Sequence, residues 1–495
     1  MVQCQFMLRD KIYGILLAGG FGTRLWPLST SRHPKPFLGL TGEKSLLQQT
    51  ALRIQSLQGM AGLIVAGQKD HEILLQRQLQ EIAVEPTWLI LEEPASGTAI
   101  SIALGCLAVL ADAGPEAMVF VVPADHALMQ RAALEQALQQ AVPQAKTERL
   151  VVFGVQPDQP CSAYGYIACG TPLDEGVWKV QHFIEKPSLE RAQDLLRQGG
   201  WLWNSGMLLG QAALLWQELQ HRVPWLAQAA WAAWEKRRRT GRKLHVQIAL
   251  PQDGTPLSID HALLERIDRA AVVSLDTPWS DVGTFAALHA LGEQDQQANV
   301  LRGHVVAMES TGNYLHNTGE AVLGVFGVHA MAVVATSEAI LMAPLGNAAA
   351  VEQLARRCTQ PSRDHARAPA GCHAAAQAGT SISRPWGSFS ILVSGEGFQI
   401  KRLLVQPRSR ISLQYHRQRR EWWFVRQGCA LVTVDARQEE HGAGAMIPIP
   451  MGAVHRLENA ADEILEIIEM QMGEYLGEDD VVRLEDDYGR LSDFR

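Results

Sequence analysis

The residues Leu17-Ala18-Gly19-Gly20-Phe21-Gly22-Thr23-Arg24-Leu25-Trp26-Pro27 bring together the groups that a triphosphate needs. Gly19, Gly20 and Gly22 let backbone N–H groups come close to phosphate oxygens, and Thr23 continues the same turn. Arg24 offers a planar fork of donors. Lys35, held between Pro34 and Pro36, adds a point charge to the same phosphates. This spacing is not the G-x-G-x-x-G dinucleotide fingerprint. A purely structural glycine turn would not need Arg24 and Lys35 at these offsets. Farther on, Pro123-Ala124-Asp125-His126 follows the apolar run 118–122, placing a carboxylate at a strand's C-terminal end, where α/β sheets bind ligands.

With these residues the chain resembles the sugar nucleotidyltransferase family. Phe183-Ile184-Glu185-Lys186-Pro187, Trp203-Asn204-Ser205-Gly206-Met207 and Trp279-Ser280-Asp281-Val282-Gly283 match further family motifs in order. The resemblance implies that Lys186, beside Glu185, meets the sugar phosphate and that Asn204 meets sugar hydroxyls. It implies that Asp125 and Asp281 bracket one Mg²⁺, an ion suited to hard oxygen ligands and substrate phosphates. Each motif has a bland reading: Glu185-Lys186 as a surface pair, Asn204 as a turn residue, Asp281 as a helix N-cap. Five motifs in the family's order outweigh those readings. The implied reaction is in-line attack of a sugar-1-phosphate oxygen on the α-phosphorus of a nucleoside triphosphate. Arg24, Lys35, Asp125 and Asp281 form the expected catalytic set, acting by positioning and electrostatics.

The Trp26 form of the first motif, Tyr164-Gly165-Tyr166-Ile167, Ser258-Ile259-Asp260 and the Trp279 form of the last motif look like the long bacterial mannose-1-phosphate guanylyltransferases. That resemblance implies GTP and mannose 1-phosphate as substrates, with Gly97, Thr98, Gly165 and Asp260 among the binding residues, and a place in polysaccharide biosynthesis. The family usually has Gly-Arg-Asn-Thr-Ala-Pro-Ala after its Glu-Pro. Here the stretch reads Glu93-Pro94-Ala95-Ser96-Gly97-Thr98-Ala99-Ile100, without the Arg and Asn. Likewise Cys161-Ser162-Ala163 replaces the usual Glu-Thr-Gly.

Near the C-terminus, Gln414-x-His416-x4-Glu421-x6-Gly428 and Gly444-x5-Pro450-x-Gly452-x2-His455-x3-Asn459 resemble the two cupin metal motifs. Residues i and i+2 of a strand share a face, so Gln414 and His416 both point into the barrel. With Glu421 and His455 they form the implied ligand set for a divalent metal such as Zn²⁺ or Co²⁺. A single barrel histidine is more often core packing; the full spacing favours metal. Arg384-Pro385-Trp386-Gly387 at the start and Gly473 to Asp480 at the end resemble signatures of the type II phosphomannose isomerase domain. That implies isomerase chemistry, in which a metal polarises a C1 or C2 carbonyl oxygen while a base moves a proton. Here Gln418 and Trp422 replace family histidines, and Arg408 stands where the motif opens with Gly. The acidic residues Glu478 to Asp480 and Glu485 to Asp487 read as a solvated tail.

The elements that must position these groups follow from pattern. Apolar runs at 12–17, 62–66, 118–122 and 150–154 read as buried strands, with helical patterns between them at Lys44 to Leu57 and Arg131 to Ala141. Alternation of this kind predicts an α/β, Rossmann-like nucleotidyltransferase domain with a mostly parallel sheet over 1–295. Short runs at 303–308, 322–328, 331–335 and 339–343 predict a small β module over 296–356, closed by a helix. Residues 357–383, rich in Pro, Ala, Gly and Ser, read as a linker. Alternating strands after it predict an all-β cupin barrel over 384–495.

Bulk composition bounds the answer further. The 495 residues allow two to four domains, and 47% hydrophobic content supports large cores. A net charge of -8 argues against nucleic acid as a partner. The basic run Lys236 to Arg239 reads as a solvated helix end. Seven cysteines without a C-x-x-C pair suit free thiols and a cytoplasmic location. Ala99 to Ala111 is too short to span a bilayer and reads as a buried helix, so no membrane partner is expected. Homo-oligomer formation stays open. The expectation is therefore a guanylyltransferase with a cupin as a second isomerase. Its competitors are a transferase for another base or hexose with an inert cupin, and a nucleotide-sugar-binding protein without catalysis.

Overall fold

Buried apolar runs become the middle of one large sheet. In this computed structural model, residues 11–20, 22–128, 130–251, 255–359, 381–395, 397–477 and 480–488 are described. Phe21, Cys4, Cys372, Glu478, Asp479 and most of the expected linker lie outside the described residues. The chain divides into two compact units that part after Arg357.

In the first unit eleven strands form one sheet. Their order is Arg238–Thr240, Lys243–Gln247, Trp88–Glu93, Met60–Gln68, Ile12–Leu17, Met118–Pro123, Trp201–Gln211, Leu150–Val155, Ala270–Ser274, Val177–Ile184 and Tyr166–Asp174. The run from Lys243–Gln247 to Met118–Pro123 is parallel. Trp201–Gln211 enters antiparallel and joins that run to Leu150–Val155. Parallel strands are covered on both faces, and here alternate side chains enter two cores. Leu16, Val65, Leu91 and Phe120 face one core, with the helices Leu46–Gln55 and Arg131–Lys146. Ile15, Ile64, Ile90 and Val119 face the other. The helix Thr98–Ala113 lies in that second core; it is apolar nearly all round, which is why it is buried nearly all round. Ser45 and Gln48 cap the helix Leu46–Gln55 reciprocally, which fixes the start of the first crossover.

The basic run differs from its reading. Lys236 does follow the helix Pro224–Glu235, but Arg238–Thr240 forms the edge strand of the large sheet against Lys243–Gln247. Arg239 lies over the Trp88 ring at 4.5 Å and Arg237 over Trp234 at 3.8 Å. The segment Arg238–Thr240 is solvent-exposed as expected, but pairing with Lys243–Gln247 makes it a strand rather than a helix end.

Later in the same unit, Val300–Arg302, Tyr314–Asn317, Met331–Ala335 and Ile340–Pro344 form one small sheet, and Val305–Met308 pairs with Leu323–Phe326. Two of these strands, Val300–Arg302 and Tyr314–Asn317, have no counterpart in the sequence reading. They are held by buried asparagines: Asn313 Nδ2 donates to Asn299 Oδ1 at 2.9 Å and Asn299 Nδ2 to the Ser310 carbonyl at 2.8 Å. The closing helix is Ala348–Thr359.

The second unit is a two-sheet barrel. One sheet runs Ser381–Arg384, Gly387–Gly395, Phe398–Val405, Leu465–Gly473, Arg419–Gln427, Met446–Ile449. The other runs Arg437–Gly442, Cys429–Val434, His455–Asn459, Leu413–His416, Val481–Glu485. Asp480 to Asp487 is not a free tail. Asp480 is buried and accepts from the backbone N–H groups of Arg417 and Gln418, while Asp487 pairs with Arg410 at 2.7 Å. The five cysteines among the described residues are free thiols. None of the described helices is long and apolar enough to cross a membrane.

Candidate active site

The glycine-rich turn leaves the strand Ile12–Leu17 at its C-terminal end and closes on Lys35. Gly22 has φ 66°, and a Cβ there would stand 2.6 Å from Lys35 Cβ, so only glycine fits this approach. Lys35 is 5% exposed; a buried ammonium must be paired. It is: Nζ lies 2.7 Å from Asp125 Oδ2 and donates to the Asp281 carbonyl. One side chain thus ties the turn to the Asp125 carboxylate and to the backbone of Asp281. Burial opposes ionisation of Asp125, but Lys35 and His126 outweigh it and hold the carboxyl below its usual range. Burial also keeps His126 below the usual histidine range.

Asp281 is oriented by groups that the sequence reading quotes within its motifs but gives no role. Its Oδ1 accepts from the Tyr164 hydroxyl at 2.9 Å and from the Gly283 N–H at 3.1 Å. Asp281 is not a helix N-cap; Thr284 takes that position for Phe285–Leu291. Tyr164 in turn stands edge-on to Trp203 and Trp279, each at 5.1 Å. Burial, then the Asp281 charge, drives the Tyr164 phenol well above its usual range, so it remains a donor. Arg24 lies 3.4 Å from Glu352 of the closing helix Ala348–Thr359 and is partly exposed. Tyr164, Trp203 and Trp279 are themselves residues of the quoted motifs, and that membership was their signal; Glu352 had none.

A second cluster gathers the residues assigned to the sugar. Asn204 Nδ2 donates to Asp260 Oδ1 at 2.8 Å, and the Asn204 N–H donates to the Gly165 carbonyl at 2.8 Å. Glu185, largely buried, holds Lys186 at 2.6 Å. Burial, followed by the Glu185 charge, pushes the Asp260 carboxyl up to about 6. Gly97 and Thr98 open the helix Thr98–Ala113 against this cluster. Thr98 Oγ1 accepts from the Ile259 N–H at 3.0 Å, and a Cβ on Gly97, φ 88°, would lie 2.5 Å from the Leu257 carbonyl oxygen. Ser96 is buried, its hydroxyl spent on the Pro94 carbonyl at 2.9 Å, so it presents nothing in place of the absent Arg and Asn. Gly19, Gly20 and Thr23 sit exposed at the mouth of the turn. Nearby, Glu92 is a buried carboxyl pushed up to about 7 by burial, with Ser101 as its hydrogen-bond partner.

In the barrel, inward side chains form cross-strand rows. Gln399, Gln471 and Glu421 share one row; Lys401, Glu469 and Trp423 share the next; Leu403, Ile467 and Val425 begin the apolar end. His416, Glu421 and His455 are buried, with donor atoms all within 4.8 Å of one another. His416 Nε2 lies 3.1 Å from Glu421 Oε1, off the line of a hydrogen bond. His455 donates its Nδ1–H to the Ala453 carbonyl at 2.9 Å, while its Nε2 has no partner. Buried imidazole nitrogens aimed at one carboxylate fit a divalent metal, and the Ala453 contact fixes the His455 tautomer for ligation. Burial opposes it, yet His416, His455 and Arg419 hold Glu421 far below the carboxylate range. Burial and the Glu421 charge push Glu469 up. Gln414 stands opposite His455 in register, its Oε1 accepting from Ser412 Oγ at 2.7 Å. Trp422 points to the opposite strand face from Glu421 and packs under Arg420, so that departure lies outside the interior. Arg408 adopts φ 56°, a conformation that explains a glycine at the same motif position.

A family described as Nucleotidyl transferase matches residues 13–298, and one described as Mannose-6-phosphate isomerase C-terminal matches 372–486. The chain is 36% identical over 481 residues to the xanthan biosynthesis protein XanB of Xanthomonas campestris, covering 97% of this chain and 100% of that protein. It is 34% identical to a mannose-1-phosphate guanylyltransferase of Escherichia coli, covering 98% and 100%. Among solved structures, one from Thermus thermophilus, described as a mannose-1-phosphate geranyltransferase, matches with TM-score 0.61 and 28% identity over 71% of this chain and all of that one.

Proposed function

Because the chain belongs to the family of long mannose-1-phosphate guanylyltransferases with a C-terminal isomerase domain, we propose that it transfers GMP from GTP to mannose 1-phosphate, releasing pyrophosphate. The observation that carries this is Lys35, which joins the glycine turn to Asp125 and to Asp281. A phosphate oxygen of the sugar attacks the α-phosphorus, a new P–O bond forms, and the bond to the β-phosphate oxygen breaks. Arg24 and Lys35 place their charges on the triphosphate, and Lys186 holds the attacking phosphate. Asn204 and Asp260, already bonded to each other, orient the hexose hydroxyls. Mg²⁺, when bound, would neutralise charge on the reacting phosphates, with Asp125 and Asp281 as its protein ligands. Asp125 is held ionised, as such a ligand must be.

In the cupin, His416, Glu421 and His455 would hold a divalent metal such as Zn²⁺ or Co²⁺, with Gln414 as a fourth ligand. That metal, when bound, would polarise the C1 or C2 carbonyl of mannose 6-phosphate during isomerisation. Arg419 and Gln471 orient Glu421 through contacts of 3.1 Å and 2.8 Å. The product, GDP-mannose, serves polysaccharide biosynthesis, as the name of the Xanthomonas relative indicates for that protein. Turnover of an Asp281→Asn variant tests the transferase reading: a loss of roughly 100-fold or more in kcat is expected, and normal turnover would remove the metal role of Asp281.

A further inference from the structure

The backbone of Arg24 is anchored, but its own turn does not order the long side chain. Thr23–Leu25 is a three-residue helical turn whose Leu25 is fully buried, whereas the Arg24 side chain is 42% exposed. A side chain of that length loses rotamer freedom when a ligand fixes it, and the loss subtracts from binding. The contact that restrains it comes from far along the chain. Glu352 Oε2 accepts from Arg24 Nε at 3.4 Å. One edge of the guanidinium is used in this way, and Nη1 and Nη2 remain for phosphate oxygens.

Glu352 is itself held on two sides. Four residues further along the helix Ala348–Thr359, Arg356 Nη2 donates to Glu352 Oε1 at 2.8 Å. That bond above all, with Arg24 adding to it, keeps the Glu352 carboxyl below its usual range, so it is charged at neutral pH. On the inward side, Val351 and Ala355 are buried. Val351 belongs to a core that also contains Leu25 and Val282, the residues that follow Arg24 and Asp281. One packed cluster therefore sets the helix, the glycine-rich turn and the Asp281 motif against each other, and packed interiors yield little. Resting on the reading of Arg24 as a triphosphate contact, we propose that Glu352 is a positioning residue for nucleotidyl transfer, ordering the Arg24 guanidinium before the nucleoside triphosphate arrives. The small β module, through its closing helix, thereby contributes to the transferase site.

The rival reading is a surface pair of Glu352 with Arg356 that Arg24 only touches. Pyrophosphate release and calorimetric binding of GTP by the full chain separate the two, in wild type, Glu352→Ala, Arg24→Gln and the double variant. Glu352→Ala is expected to raise KM for GTP roughly 3- to 10-fold, the worth of ordering one long side chain, and to leave KM for mannose 1-phosphate unchanged. Glu352→Gln, which keeps an oxygen acceptor, should recover part of that loss. In the Arg24→Gln background Glu352→Ala should add nothing, because its effect runs through that guanidinium. A loss of the same size in that background, or equal losses for both substrates, makes the role structural and overturns the proposal. With Arg24→Gln impaired, unchanged or tighter GTP binding by Glu352→Ala also overturns it; tighter binding would mean that the carboxylate competes with the triphosphate. If Arg24→Gln binds GTP as wild type does, the triphosphate reading of Arg24 falls and the proposal with it. If wild type binds GTP but releases no pyrophosphate, while the variants lose binding as described, Glu352 keeps its role and the transferase reading falls.

Discussion

Removing one oxygen from Tyr164 tests how Asp281 is held. In Tyr164→Phe the ring stays between Trp203 and Trp279, while the 2.9 Å bond to Asp281 Oδ1 is lost. Hydrogen bonds to ionised groups are worth about 1.5–3 kcal/mol, or roughly 10- to 100-fold. Asp281 keeps the Gly283 N–H, so the lower half of that range is expected. The phenol is a neutral donor across the working pH range, so the loss should not vary with pH. Pyrophosphate release measured against Mg²⁺ concentration reads the effect directly. The half-saturating Mg²⁺ concentration should rise by about tenfold, with little change in the thermal midpoint, as expected for a group that orients a metal ligand. An unchanged Mg²⁺ dependence with a simple fall in stability would refute the positioning role and leave Tyr164 as packing.

Three further outcomes follow from the same geometry. Glu92, pushed up to about 7 from 4.5, keeps a proton that the unfolded chain has lost, so it costs stability as pH rises through that window. Glu92→Gln should be neutral near pH 4 and stabilising by about 3 kcal/mol near pH 8, by denaturant titration; an equal effect at both pH values would remove the buried-carboxyl account. Asp260, pushed up to about 6, accepts more strongly from sugar hydroxyls once ionised, so KM for mannose 1-phosphate should fall as pH rises from about 5 to 7. In Asp260→Asn that slope should vanish; its persistence would point to another group. His455→Ala should cost the cupin its metal, read by elemental analysis of the purified chain, since Nε2 is the orphaned atom there; full metal content would exclude it as a ligand.

Much of the site was legible because its chemistry is local. The glycine turn, Asp125 after its strand, and the His416, Glu421 and His455 spacing each declare themselves within a short stretch. Tyr164 is different: its hydroxyl reaches Asp281 across 117 residues of sequence, a contact that no local pattern reports. The edge strand Arg238–Thr240 was read as a helix end because its partner, not its composition, makes it a strand. The strands at 300–302 and 314–317 were missed for a related reason. Buried asparagines there replace apolar periodicity with side-chain bonds to backbone. Asp480 read as solvent-facing because three acidic residues in a row suggest a tail; two backbone N–H groups bury it instead.

Base selectivity is the most direct test of the central claim, because Ser96 is turned inward where relatives of this kind are expected to present Arg and Asn. Pyrophosphate release would be measured with Mg²⁺, mannose 1-phosphate and each of GTP, ATP, CTP, UTP and dTTP. The account predicts a strong preference for GTP. Equal or faster turnover with another base would contradict the guanylyltransferase assignment while leaving the fold and the phosphoryl chemistry in place.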